Sequence, residues 1–240
     1  MRLGRILAAI VIAALMSPFA SAATLVEWSM EGVIHTPAPE SVPASTVAQG
    51  LTALDVTRGP GIASMSLNNG FSAEGWDDAQ TRADALKVGA YFQFGFIVNN
   101  GYTASLSTLD LALRRSAASA PMNFEVQVSL DDFQTPGITV ANFNYFGRTS
   151  GSAPASNPLA GDPYYYMTFD LPGRPNETTS PGDPVPTIDL SKVPQLQNLP
   201  GGTRVTIRLY AWGDGRVTPT NTVALGRMIG PKIGGTVTAQ

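Results

Sequence analysis

The stretch Asn123-Phe124-Glu125-Val126-Gln127-Val128-Ser129-Leu130 alternates polar and apolar residues. Phe124, Val126, Val128 and Leu130 therefore share one face and Asn123, Glu125, Gln127 and Ser129 the other, the pattern of a half-buried strand. The same period of two recurs in Leu109, Leu111 and Leu113 within 108–115, and in Val205, Ile207 and Leu209 within 203–212. Phe92, Phe94 and Phe96 repeat it within 90–98, and that run stops at Asn99-Asn100-Gly101. This turn signal predicts a hairpin whose return arm begins near Tyr102. Further strands are expected over 24–30, 52–57, 138–146, 164–171 and 222–227. About nine strands result, enough for two packed sheets.

Composition agrees. Only 14% of residues are charged, while the 240-residue chain holds 24 Gly and 19 Pro, which favours short strands joined by turns over amphipathic helices. Residues 147–163 and 172–186 are so rich in Pro, Gly, Ser and Asn that both are expected to be long surface loops within one domain. Between Ile188 and Leu199 a single helical turn is expected, capped by Asp189 or Ser191 and limited by Pro194 and Pro200. The fold class is all-β: a two-sheet antiparallel β-sandwich with long Pro/Gly-rich surface loops.

The first 22 residues carry the three parts of a cleavable secretory signal peptide. Arg2 and Arg5 form the positive region, 6–16 is an apolar run, and Ala20-Ser21-Ala22 is a small-residue cleavage site. The run falls short of the roughly 20 residues a spanning helix needs, so cleavage and export are expected, with no membrane span afterwards. The mature domain would be residues 23–240, with 13 Lys+Arg against 18 Asp+Glu and a formal charge of −5. That balance argues against a nucleic-acid partner. The chain has no cysteine, so disulfides, thiolate metal sites and cysteine nucleophiles are excluded.

The strands and their flanking residues also carry a resemblance. In order they are Val26-Glu27-Trp28-Ser29-Met30-Glu31-Gly32, Tyr91-Phe92-Gln93-Phe94, Leu109-Asp110-Leu111-Ala112-Leu113-Arg114-Arg115-Ser116, Phe124 to Phe133, Val205-Thr206-Ile207-Arg208-Leu209-Tyr210-Ala211-Trp212-Gly213, and Val223-Ala224-Leu225-Gly226-Arg227. This series resembles the exported β-sandwich proteins of environmental bacteria that often end in a PEP-CTERM surface-sorting tail. The resemblance implies a jelly-roll-like sandwich, export, and a role at the cell surface or in the extracellular matrix; it brings no catalytic residues. The chain shows no Pro-Glu-Pro motif, hydrophobic span or terminal basic cluster, so simple secretion is the expectation.

Candidate chemistry is sparse. His35 is the only histidine, and no G-x-S-x-G elbow accompanies it, so a loop histidine is expected and no catalytic residue is assigned. No cofactor motif is present. A structural calcium ion would need clustered oxygen ligands, for which Asp131 and Asp132 are the first candidates, with Asp77, Asp78 and Asp214 behind them. The competing reading of Asp131-Asp132 is an Asx-type turn. Sugar binding asks for exposed aromatic rings. Tyr210 and Trp212 lie opposite the aliphatic face of their strand and, with Trp76, are the candidates; 164–166, a run of three tyrosines, is a further source. If that strand is buried on both faces, the rings are second-layer packing instead.

Three functional readings follow. The first is a non-enzymatic structural or adhesive matrix protein, whose partner would be extracellular polysaccharide or matrix. The second is a carbohydrate-binding module built on exposed aromatics. The third is a polysaccharide-active hydrolase, which needs two carboxylates at a suitable separation, one with a raised pKa.

Overall fold

The computed structural model describes residues 22–33, 37–116, 120–145, 166–169, 183–213, 217–226 and 228–240. Residues 1–21 of the expected signal peptide, His35, Asp214, residues 147–163 and 172–182 of the two expected loops, Tyr164 and Tyr165 lie outside them.

The strands are β1 (Ala23–Glu27), β2 (Thr46–Val47), β3 (Leu51–Arg58), β4 (Ala63–Met65), β5 (Phe71–Glu74), β6 (Tyr91–Val98), β7 (Tyr102–Arg115), β8 (Asn123–Ser129), β9 (Ile138–Tyr145), β10 (Tyr166–Phe169), β11 (Asp183–Asp189), β12 (Leu199–Pro200), β13 (Arg204–Trp212), β14 (Val223–Leu225) and β15 (Lys232–Ala239). One α-helix, α1 (Arg82–Val88), lies between β5 and β6. They form a nine-stranded and a six-stranded sheet, the latter in the order β10-β9-β8-β13-β6-β3. All pairings are antiparallel except β10 beside β9. The expected two-sheet sandwich is the observed fold.

The two sheets close on one apolar core. Phe92, Phe94, Phe96, Phe124, Val126, Val128, Val205, Ile207 and Leu209 of the six-stranded sheet are all buried, as are Leu106, Leu109, Leu113, Leu225 and Ile233 of the other. Aromatic contacts tie the layers: Trp28 meets Phe94 edge-on at 5.3 Å between ring centroids, Phe71 meets Phe92 at 5.9 Å, and Trp76 meets Phe92 at 5.7 Å. The indole N–H groups of Trp28 and Trp76 have carbonyl partners, on Leu54 and Ala73, so burying these two rings leaves neither donor unpaired.

Several local expectations are corrected. The turn at Asn99-Asn100-Gly101 forms, with Gly101 at φ +82 and the Tyr102 amide donating to the Asn99 carbonyl. Yet β6 pairs with β3 and β13, whereas β7 belongs to the other sheet. The turn is an arch between the sheets, not a hairpin, because the aromatic face of β6 and the leucine face of β7 bury more area facing each other across the core than side by side.

β7 itself is longer than expected and organises its sheet. Leu113 pairs with both Asp183 and Leu225, and Leu109 with both Ile188 and Ile233. Strands β14 and β15 therefore line one side of β7 and β11 the other. β11 contains Pro184 and Pro186 and overturns the reading of 183–186 as loop. Among the described residues it pairs with β7 alone, and an edge strand tolerates residues that cannot donate to a ladder. In the segment after it, the helical turn is confined to Pro194–Leu196 and its cap is Val193, without a side-chain bond. Asp189 instead accepts from the Ser191 amide in an Asx turn.

Helix α1 and β15 were not anticipated. Short as it is, α1 is well specified: Thr81 and Asp84 form a reciprocal capping box, and Gly89 ends it at φ +76. The β15 sequence Lys232-Ile233-Gly234-Gly235-Thr236-Val237 has glycines at its centre, which hides its period.

Candidate functional site

Antiparallel register puts directly paired residues on the same face, so the outer face of the six-stranded sheet can be read row by row. One row runs Thr57, Gln93, Arg208, Gln127, Thr139 across β3, β6, β13, β8 and β9. The next runs Tyr91, Tyr210, Glu125, Asn142, and a third joins Trp212, Asn123 and Asn144. This face is polar and aromatic throughout, the counterpart of the apolar inner face.

It is also covered, which corrects the half-buried reading of 123–130. Every residue of β8 is buried, including Asn123, Glu125, Gln127 and Ser129. Helix α1 packs on β13, and its first residue, Arg82, reaches Glu125 with both Nε and Nη2, the latter at 2.7 Å. Gln127 Nε2 and Thr139 Oγ1 each donate to Glu125 Oε1 at 2.7 Å. Burial pushes the Glu125 carboxyl up, but the hydrogen bonds from Arg82, Gln127 and Thr139, with the Arg82 charge, outweigh it and hold the group below the usual carboxylate range. Beside it, Asn142 is 4% exposed and its Oδ1 has no hydrogen-bond partner among the described residues.

The second wall is the 131–137 loop. Ser129 Oγ accepts from the Asp131 and Phe133 amides and donates to Asp131 Oδ1. Asp131 Oδ2 accepts from the Thr135 amide and hydroxyl, and these bonds, Thr135 and then Ser129, hold its carboxyl below the usual range. Asp132 and Phe133 both sit in left-handed backbone, at φ 59 and 62. Such a conformation costs about 1–2 kcal/mol per residue and persists here because the Ser129 and Asp131 network over-determines the loop. Replacing Ser129 by Ala is expected to lower the unfolding free energy by about 1–3 kcal/mol; a urea titration checks this, and an unchanged midpoint would show that the hydroxyl anchors nothing.

What the strained loop achieves is the placement of Phe133. The Arg208 guanidinium carbon lies 3.9 Å from the Phe133 ring centroid and 4.2 Å from that of Tyr91. Arg208 Nε donates to Gln93 Oε1 at 2.8 Å, and Nη1 approaches the Tyr210 hydroxyl at 3.4 Å. Tyr91 in turn meets Tyr210 edge-on at 5.2 Å. Tyr91, Gln93, Arg208 and Phe133 are all half-buried, so this part of the face reaches solvent.

The residues singled out from sequence fall differently. Tyr210 is 4% exposed and Trp212 5%, and Trp76 is fully buried in the core. None offers an open ring face, and Trp76 is not on the same side of the sheet as the other two; the Leu209–Trp212 end of β13 is buried on both faces, which makes Tyr210 and Trp212 second-layer packing. Asp131 is committed to its turn, while Asp132 accepts from Thr206 Oγ1 and lies 3.3 Å from Arg204 Nε. Asp77 and Asp78 belong to a single 3-10 turn, Trp76–Asp78. Among the described residues no three His, Cys, Asp or Glu side chains come together in a way that could hold a metal ion. Of the tyrosine run, the described backbone places Tyr166 in register opposite Asn142.

Arg82, Tyr91, Gln93, Phe133 and Arg208 were missed. Alternation does put Tyr91 and Gln93 opposite Phe92 and Phe94, and Arg208 opposite Ile207 and Leu209. No sequence signal tells that β6 and β13 are neighbours, or that a loop 75 residues away in sequence lays Phe133 on Arg208.

Fold and face together define a two-sheet β-sandwich with a pre-organised polar sheet face. Comparison with protein-family models, with curated proteins and with solved structures finds no match to this chain.

Proposed function

We propose that this is an exported, non-enzymatic binding protein of the cell surface or extracellular matrix, whose adhesive role is exercised by the outer face of the six-stranded sheet on extracellular polysaccharide. The observation that carries the reading is the stack of Tyr91, Arg208 and Phe133, held by Gln93 and Tyr210 and left half open to solvent. Its groups are rigid before any ligand arrives, so little ordering entropy remains to be lost on binding. Amide, hydroxyl and guanidinium groups beside partly exposed rings suit the mixed polar and apolar faces of a sugar.

The non-enzymatic part rests on Glu125. A glycosidase acid keeps its proton through a raised pKa, whereas three donors hold Glu125 ionised. Export rests on the composition of residues 1–22 and on the resemblance to the exported sandwich proteins; no helix among the described residues is long and apolar enough to cross a membrane.

A glycan array probed with the purified protein tests the reading. Polysaccharide binding that is lost in Tyr91→Ala, with the fold retained, is the expected result. No binding to any glycan would contradict it.

A further inference from the structure

We infer that Arg208 is the docking point for a carboxylate of the ligand, so that the polysaccharide recognised is an acidic one containing uronic acid units. The inference rests on the reading of this face as a polysaccharide-binding surface and adds the chemical class of its ligand.

Three observations lead there. The first is charge accounting on the face. Arg82 is paired with Glu125 and Arg204 lies against Asp132, whereas among the described residues Arg208 has no carboxylate partner. A half-buried cation without a counter-charge is the group on this face with the most to gain from an anion.

The second is orientation. The guanidinium carbon lies over the rings of both Tyr91 and Phe133, and Gln93 occupies Nε. Rings so placed leave the in-plane N–H donors as the polar approach to the group. Nη1 makes one long contact with the Tyr210 hydroxyl, and among the described residues no acceptor sits against Nη2. The open edge is the end-on pair Nη1/Nη2, the geometry of a bidentate guanidinium–carboxylate contact. Since the stack also fixes the side chain, that contact forms without freezing a mobile arginine.

The third is what flanks the edge. Gln93, Thr57 and the Tyr210 hydroxyl share the face, neutral groups that both donate and accept. Hydroxyls of a sugar ring satisfy such groups. A surface for an acidic peptide or nucleic acid would repeat the unpaired cation, whereas Arg82 and Arg204 on this face already lie against carboxylates.

The test compares two ligands by calorimetry on the full-length mature protein: a uronic acid tetrasaccharide and its carboxyl-reduced, neutral counterpart. The acidic form is expected to bind about 10- to 100-fold more tightly, the worth of one charge-assisted contact, with the preference shrinking as salt rises. Arg208→Gln should abolish the preference, and Arg208→Lys, which keeps the charge but not the planar fork, should retain a small part of it. Equal affinity for both forms overturns the inference while leaving the polysaccharide reading standing. Failure of both to bind removes the polysaccharide reading and the inference with it. Tighter binding of an oligoglutamate peptide than of the tetrasaccharide overturns the inference in favour of a protein partner. If Arg208→Gln fails to fold, judged by circular dichroism, the acid-to-neutral ratio of the unmodified protein and its salt dependence decide.

Discussion

Phe94→Ala is expected to lower the unfolding free energy by about 3–5 kcal/mol, the range for emptying a fully buried aromatic site. Phe94 is completely buried on β6, opposite Ile207 of β13, and its ring meets Trp28, the residue that follows β1 of the nine-stranded sheet, in a T-shaped contact. Truncation would remove the transfer free energy of the ring and leave a cavity bounded by both sheets, which cannot close without moving one layer against the other. Denaturant titration of the variant measures the loss. A change below about 1 kcal/mol would mean that Phe94 does not sit between two sheets. Tyr91→Ala, one residue away but on the outer face, is expected to cost far less, because Tyr91 is half exposed.

Arg82→Ala carries the second large effect, about 2–3 kcal/mol at neutral pH. Glu125 is wholly buried, while the Arg82 side chain is 38% exposed, so solvent screens one partner and the loss falls below that of a fully buried pair. Among the described residues, removal of Arg82 leaves the carboxylate with Gln127 and Thr139 as donors.

The sign of the pH dependence follows. In the intact protein the Glu125 pKa lies below its ordinary 4.5, so its contribution to stability is present above about pH 4.5 and is lost as the pH falls through the lower folded value. In the variant, burial pushes the group up with less to oppose it, and destabilisation should begin at a higher pH. The stability difference between the two proteins is thus largest near neutrality and shrinks in acid. Parallel unfolding curves from pH 3 to 7 check this; a difference constant with pH would show that Arg82 acts through packing alone.

Much of the core was readable from sequence because alternation depends on one strand at a time. Phe124, Val126 and Val128, or Val205, Ile207 and Leu209, declare their inner face whatever their neighbours are. Pairing is a property of two strands, and here the sequence was weaker. Asn99-Asn100-Gly101 announces a turn but not whether the arms pair or face each other across a core. Pro184 and Pro186 speak for a loop unless the strand is known to have one free edge. The polar face was hidden for the same reason. Tyr91, Glu125 and Arg208 look like ordinary outward residues of three separate strands, and the register brings them together. Tyr210 and Trp212 were placed on the correct side of β13 by alternation, but α1, a seven-residue helix with a weak apolar pattern, gave no warning that this side is covered.

The polar face of the six-stranded sheet is the central claim, and nuclear magnetic resonance tests it most directly. With isotope-labelled protein titrated with a uronic acid tetrasaccharide, the side-chain Nε–H signal of Arg208 and the side-chain amide of Gln93 are expected to shift, together with backbone amides around Tyr91 and Phe133. Signals of the nine-stranded sheet should stay in place. Shifts confined to that second sheet, or none at saturating ligand, would contradict the claim.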